Sequence, residues 1–308
     1  MPLKSSYIAG FETQRDFIRV RGADSLRFLQ GMWTSDLKLA SSHSPSGGTS
    51  YLLNLKGRPV APALILCITD KDFVIAVPQG WGQKVIEALD RYIVADDVEL
   101  SLDTTWKAWT IFDSESVLGM RVAPRVHDDA SLIFSAIPLP DSSWLIPVAQ
   151  LSSSHLELWI SKDGSLPKFP TLDQEAQTSQ RIDAGLPLWN KDLTEESLIL
   201  EFPFAKDISF HKGCYIGQEV VARGTYRGQV PKGFARFESA QNLKEGGFIF
   251  RDEDPSRPIG KMTTALGMRA LGQVRLREIE NAKLIAETSD GSTAPLVKVD
   301  LLHSKVVE

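Results

Sequence analysis

An α+β chain with more than one domain is what this sequence predicts, on three observations. At 308 residues it is long for a single hydrophobic core. Residues 51–103 run strand, strand, hairpin, strand, helix, strand, in the manner of a split βαβ unit. From Pro231 onward the pattern is short strands and turns, which reads as an all-β barrel or sandwich.

Taken in order, Ile18 and Val20 alternate with Arg19 and Arg21 as in a half-buried strand. A helix then starts near Asp24, carries Leu26 and Leu29 on one face and can stop at Gly31. The run Ser41–Gly48 is a flexible loop by composition and the first candidate boundary. Tyr51–Leu55, Ala63–Thr69 and Phe73–Val77 read as strands, with Thr69–Asp72 as a turn. Trp81, Val85, Leu89 and Ile93 recur every four residues, the stripe of a helix lying on a sheet, and Val98, Leu100 and Leu102 form the next strand. After Trp106–Phe112 the pattern weakens through Pro124, Pro138, Pro140 and Pro147. It recovers where Thr171 can cap a helix that reaches Ala184 and stops at Gly185 and Pro187. Short strands follow at Gly246–Arg251, Pro258–Thr264, Leu271–Arg277, Lys283–Glu287 and Leu296–Val299, with Asp290-Gly291 as a hairpin turn.

Composition narrows the function classes. The chain is 43% hydrophobic and 24% charged, with a formal net charge of −5, so it lacks the basic footprint of a nucleic-acid-binding domain. No stretch approaches the ~20 apolar residues of a membrane span. No apolar run of signal-peptide length follows Lys4. Two cysteines, Cys67 and Cys214, are too few for a disulfide scaffold and suggest a reducing compartment. A cytoplasmic protein is expected, or a mitochondrial matrix protein without its presequence.

The chemistry concentrates in Lys212-Gly213-Cys214-Tyr215-Ile216-Gly217-Gln218-Glu219. Two glycines flank a cysteine and a tyrosine, which reads as a tight loop opening a helix through Glu219–Ala222. Gly213 would supply a backbone conformation closed to other residues, and Gly217 would allow close approach to the main chain. A cysteine at a helix N-terminus beside Lys212 would have a lowered thiol pKa. The alternative is that Cys214 is a small buried hydrophobe, as Cys67 is expected to be inside the apolar run Ala63–Ile68. Of the five histidines only His211 lies beside this loop.

The 212–219 segment resembles the signature of the YgfZ-type folate-binding proteins, iron–sulfur assembly factors related to the glycine cleavage system T-protein (aminomethyltransferase). Three further stretches carry the same resemblance: Phe28-Leu29-Gln30-Gly31 with Thr34 and Asp36, Leu53–Arg58 as L-N-x-x-G-R, and Arg181–Pro187 as R-x-x-x-G-x-P. The resemblance implies an aminomethyltransferase-like three-domain ring of two ferredoxin-like domains and a C-terminal β-barrel. Its first ferredoxin-like domain would combine 1–50 with 104–228, its second would be 51–103, and the barrel 229–308.

The resemblance also implies tetrahydrofolate, or a substituted folate, as ligand, with no permanently bound metal. Cys214 would be the reactive thiol or a transient cluster ligand, with Lys212 beside it and Gly213, Tyr215 and Gly217 shaping the loop. Trp189 would stack on the pterin and Asp192 pair with its amino–amide edge, the alternatives being a core tryptophan and a helix cap or solvated charge. Glu201 would be the pocket's acidic residue, and Gln218 and Glu219 would also bind the folate. Arg223 and Arg227 would hold the glutamate tail or be solvated surface charges. The sequence departs from the T-protein in having Pro59–Ala63 where that protein has an aspartate, and in having Cys214. The expected function is therefore [4Fe–4S] cluster assembly or repair, by a monomer meeting A-type carriers and client enzymes transiently. The alternatives are a folate-dependent aminomethyltransferase or other one-carbon transferase, and a thiol redox sensor on the same scaffold.

Overall fold

A computed structural model of the chain describes residues 9–112, 125–126, 132–139, 141–150, 153–161, 164–165, 168–203, 207–227 and 230–302. The chain divides into two compact units. The first holds Met1–Lys56, Val60–Asp173 and Lys206–Gln218, and the second Gly57–Pro59, Gln174–Ala205 and Glu219–Glu308.

The first unit is built on two sheets. Its elements are β1 (Ala9–Thr13), β2 (Arg15–Arg21), α1 (Ser25–Met32), α2 (Leu37–Ser41), β3 (Ser46–Leu53), β4 (Pro59–Thr69), β5 (Asp72–Pro78), α3 (Gly82–Asp90), β6 (Glu99–Leu102), β7 (Trp106–Phe112), β8 (Arg125–Val126), β9 (Leu132–Ser135), β10 (Ile137–Pro138), β11 (Trp144–Gln150) and β12 (Ser153–Ser161). A seven-stranded sheet has the order β6-β2-β5-β4-β3-β9-β8, and a five-stranded sheet the order β1-β7-β12-β11-β10. Phe17, Leu64, Leu66, Val74 and Ala76 of the first meet Ala108, Ile146, Val148 and Trp159 of the second in one core. Phe17 and Trp159 pack edge to face with ring centroids 5.1 Å apart, the geometry the ring quadrupoles favour.

Several expectations change. Ser46–Gly48 is not a loop but the buried start of β3, where a Cβ on Gly47 would lie 2.0 Å from the Ile65 carbonyl oxygen. Its glycine marks close strand approach, a meaning that composition does not separate from a linker. Gly31 lies inside α1, which ends at Met32. Thr171 bridges to Gly10, and the helix expected after it begins at Gln174. The strands of 51–103 do not form a sheet of their own, because β2 is hydrogen-bonded between β5 and β6. Local periodicity reports which face a strand buries, not which distant strand it pairs with. Pro124, Pro140, His127 and His303 lie outside the described residues.

The second unit is a closed barrel with helices on it. α4 (Gln174–Ala184) and a 3-10 turn at Ile199–Glu201 precede α5 (Gln218–Arg227), most of which belongs here. The barrel strands are β13 (Lys232–Ser239), β14 (Phe248–Arg251), β15 (Asp254–Leu266), β16 (Arg269–Arg275), β17 (Leu284–Glu287) and β18 (Thr293–Leu301), with α6 (Leu276–Ile279) between β16 and β17. They close in the order β13-β16-β15-β14-β17-β18 around Phe237, Ile249, Met262, Val274 and Ala286. The β17–β18 hairpin turns at Gly291, whose φ of 86° suits glycine. Arg236 donates to the Asp183 carbonyl at 2.6 Å and Arg269 to Ser179 Oγ at 2.9 Å, tying α4 to the barrel. Among the described residues no helix is long and apolar enough to cross a membrane.

The core between the two sheets is not wholly apolar. Burial works against the Glu157 carboxylate, but Arg15 and the Trp159 indole N–H outweigh it and hold its carboxyl below the usual range. Burial pushes the neighbouring His155 imidazole down to about 4, with the Glu157 charge opposing and Arg15 assisting. The unfolded chain therefore takes up a proton near pH 6.5 that folded His155 refuses, so its contribution is complete above pH 6.5 and is lost as pH falls to about 4. That loss amounts to about 3 kcal/mol. Urea unfolding of His155→Leu should show a shallower fall in stability between pH 7 and 4 than the parent chain. Parallel pH curves would contradict this origin.

Candidate functional site

Two distant sequence motifs meet in the first unit. Lys212 is buried, and its Nζ donates to the main-chain oxygens of Gln30 at 2.6 Å, Trp33 at 2.5 Å and Ser35 at 2.8 Å. These oxygens lie at and just beyond the C-terminus of α1, where carbonyls lack helical partners and a cation is favoured. Around them Ile216 N donates to Gly31 O at 3.1 Å and Ser209 N to Thr34 O at 2.9 Å. Thr34 Oγ1 donates to Asp207 O at 2.8 Å and accepts from Tyr51 N at 2.9 Å. The Gln30 side chain donates to Asp36 Oδ1 at 2.9 Å and accepts from Leu37 N at 2.8 Å, fixing the entry to α2. The residues that carry the resemblance at 28–36 and at 212–219 are thus one hydrogen-bonded assembly.

That assembly presents Cys214 to solvent. The cysteine is exposed while Lys212 and Tyr215, on either side of it, are buried. Lys212 Nζ lies 5.0 Å from the Tyr215 ring centroid, and burial pushes the Tyr215 phenol pKa up. Gln218 Oε1 accepts from Tyr215 N at 3.4 Å. Cys67, by contrast, is buried in β4, and burial raises its thiol to about 12.

Three loop expectations are revised. α5 begins at Gln218, so Cys214 precedes the helix by a full turn, and dipole effects fade over that distance. Lys212 spends its three N–H donors on carbonyls and is not directed at the thiol. Burial lowers its ammonium to about 7, with Asp36 opposing. The conformational role falls to Gly217, with a φ of 80°, whereas Gly213 is outside that region and has nothing within 4 Å of a Cβ, so it serves neither expected role.

In the second unit, Asp192 is buried and its oxygens are taken. Oδ2 accepts from Arg181 Nη1 at 2.5 Å and Leu188 N at 2.8 Å, while Oδ1 accepts from Thr264 Oγ1 at 2.9 Å and from Thr263. Arg181 also reaches Leu186 O at 3.0 Å and Thr264 Oγ1 at 2.7 Å, so the 181–187 stretch folds around this ion pair. Asp192 is thus one partner of a buried ion pair with both oxygens engaged, which is neither a solvated charge nor a helix cap. Trp189 is buried, as its core reading has it. Glu201 is buried in the 3-10 turn, and burial raises its carboxyl, against Lys232 and a Gln273 Nε2 donor at 3.0 Å. Glu219 and Arg223 form an exposed pair one turn apart on α5, whereas the side chain of Arg227 and the whole of Gly228 lie outside the described residues. Sequence reasoning missed Asp207, a buried acid that accepts from Thr49 Oγ1 and carries no motif. Among the described residues no group of three or more His, Cys, Asp or Glu side chains is placed to hold a metal ion.

The fold is that of the aminomethyltransferases. Aminomethyltransferase T of the Bartonella henselae glycine cleavage system superposes with a TM-score of 0.76, over 98% of this chain and 87% of that one, at 16% identity. No protein-family model matches the chain. Within that fold its homologues include the YgfZ and IBA57 proteins. The Blochmanniella pennsylvanica tRNA-modifying protein YgfZ is 23% identical over 247 residues, covering 74% of this chain and 70% of its own. The mitochondrial iron–sulfur cluster assembly factor IBA57 homolog of Pyricularia oryzae is 26% identical over 277 residues, 83% of this chain and 66% of its own. An uncharacterized Haemophilus influenzae protein is 27% identical over 83% of each chain.

The two glycines make a direct test. Gly217→Ala should cost about 1–2 kcal/mol in thermal or urea unfolding, because an L side chain is strained at that φ. Gly213→Ala should stay within about 0.5 kcal/mol of the parent. Equal effects would contradict the loop geometry.

Proposed function

We propose that the protein is an accessory factor in assembling or repairing [4Fe–4S] clusters and that it acts through Cys214. The observation that supports this reading is an exposed thiol on a loop whose neighbours Lys212 and Tyr215 are anchored in the core. Homologues named as iron–sulfur cluster assembly factors point the same way. A [4Fe–4S] cluster takes four thiolates, so one cysteine shares the cluster with a partner and does not store it. An A-type carrier supplies the remaining ligands in a transient complex, and the cluster passes to a client enzyme as cargo. Two free cysteines suit the bacterial cytoplasm or the mitochondrial matrix as the place of action.

A reduced folate is the proposed ligand, and the residues fit it unevenly. Glu201 suits it: burial destabilises its carboxylate, and two convergent N–H donors from a pterin amino–amide edge relieve that cost. Asp192 does not, because its oxygens are already taken. Aminomethyl or other one-carbon transfer is the second reading, on the strength of the shared fold. It is disfavoured because β4 offers no carboxylate or imidazole between Arg58 and Asp70 to move a proton, and Cys67, its one ionisable side chain, is buried with its thiol pushed up to about 12.

Cys214→Ala should unfold at the parent temperature, since the side chain is exposed, yet fail to restore [4Fe–4S] enzyme activities in cells lacking the protein. Full restoration would remove Cys214 from the account. Glu201→Gln should weaken tetrahydrofolate binding, measured by calorimetry, at least tenfold, about 1.4 kcal/mol. Unchanged affinity would rule out Glu201 as the pterin contact.

A further inference from the structure

Lys212 is the charged group nearest in sequence to Cys214, and it is placed where it cannot act on the thiol directly. All three ammonium donors end on main-chain oxygens, those of Gln30, Trp33 and Ser35. An ammonium has no fourth donor for a thiolate, and a neutral amine would turn its lone pair toward an acceptor. A general base, a nucleophile or an electrostatic partner for the thiol would need a free face on Nζ. The partners are backbone atoms, so no side chain at 30, 33 or 35 supplies the contact. What the site requires is a cation with three diverging donors on a slender stem. A guanidinium, planar with a fixed fork of five N–H bonds, does not reproduce that arrangement.

We infer that Lys212 is a positioning residue for Cys214, holding the 213–217 loop against the end of α1 through the three carbonyls. The inference rests on the reading of Cys214 given above. The bonds that register the loop on either side of Lys212 are Ser209 N to Thr34 O at 2.9 Å and Ile216 N to Gly31 O at 3.1 Å. Both depend on the course of the 31–35 segment, which the ammonium holds together with the bonds from Thr34 N to Tyr51 O at 3.1 Å and from Ser35 N to Ser50 Oγ at 3.0 Å. Without the cation, three carbonyls converge with nothing between them, the 31–35 segment relaxes, and Cys214 keeps its exposure but loses its fixed position.

The full-length chain carrying Lys212→Ala tests this with n-propylammonium, which replaces the three carbons and the nitrogen removed, and with n-propanol as a neutral mimic of similar size. Amide hydrogen exchange at Ser209 and Ile216 should rise at least tenfold, with the barrel amides of Met262 and Leu302 unchanged. Activation of a [4Fe–4S] client should fall at least tenfold, while iodoacetamide alkylates Cys214 within twofold of the parent rate. Propylammonium should restore at least half of the exchange protection and of client activation, and propanol should restore neither. Lys212→Arg should behave as the alanine variant does.

A tenfold slower alkylation with unchanged exchange would overturn the inference in favour of direct thiol activation. Equal rescue by propanol would overturn it in favour of simple space filling. Should the alanine variant fail to fold, Lys212→Met fills the volume without the charge, and parent-like exchange at Ser209 and Ile216 in that variant would also overturn it. Cys214→Ala keeps the outcomes apart, because it should lack client activation while retaining normal exchange at both amides. If Cys214→Ala instead activates clients, the reading of the thiol fails, and the exchange data still decide the role of Lys212.

Discussion

The Lys212 ammonium lies in a buried site where its three N–H bonds meet three main-chain oxygens at the end of α1. Burying an unpaired ammonium costs several kcal/mol, and orphaned carbonyls carry a penalty of their own. Brought together, the two liabilities offset each other, since a hydrogen bond to a charged group contributes about 1.5–3 kcal/mol. That match ties the chain from Gln30 to Ser35 to the segment from Ser209 to Ile216, alongside the main-chain bonds from Ser209 to Thr34 and from Ile216 to Gly31. Gly213 and Cys214 are the exposed residues between the buried Lys212 and Tyr215.

A second charge-centred device organises the other unit. Arg181 and Asp192 form a buried ion pair that also binds Leu186 O, Leu188 N, Thr263 and Thr264. Removing one partner of such a pair leaves the other uncompensated, typically at about 3–5 kcal/mol. This accounts for Arg181 without recourse to a ligand, while Gly185, with a φ of 70°, ends α4 as a helix C-terminal glycine does. The barrel beneath needs no such device and closes around an apolar core.

Much of the fold was legible because it follows local rules. The strand-rich tail, the Asp290-Gly291 turn and the α3 stripe emerged from periodicity and turn chemistry alone. What was not legible depended on partners far along the chain. Gly47 looks like linker until Ile65 O is placed against its Cα. Gly213 and Gly217 cannot be told apart by spacing, because only the backbone dihedrals separate them. Asp192 looked available as a pterin acceptor because Thr263 and Thr264, which fill it, lie some 70 residues away. Within the candidate site the cysteine was evident from its motif. Lys212 was read as its electrostatic companion because adjacency in sequence suggests adjacency of charge, and the structure turns the two side chains to different surroundings.

Everything at this site turns on where the three Lys212 Nζ protons point. Neutron diffraction from a deuterated crystal would show them directly at Lys212 Nζ. In a crystal held near pH 5, well below the lowered Lys212 pKa of about 7, three deuterons aimed at the oxygens of Gln30, Trp33 and Ser35, with the Cys214 sulfur out of hydrogen-bonding reach, is the result the account predicts. A neutral two-deuteron amine, or an Nζ–D directed at Cys214 Sγ, would contradict it.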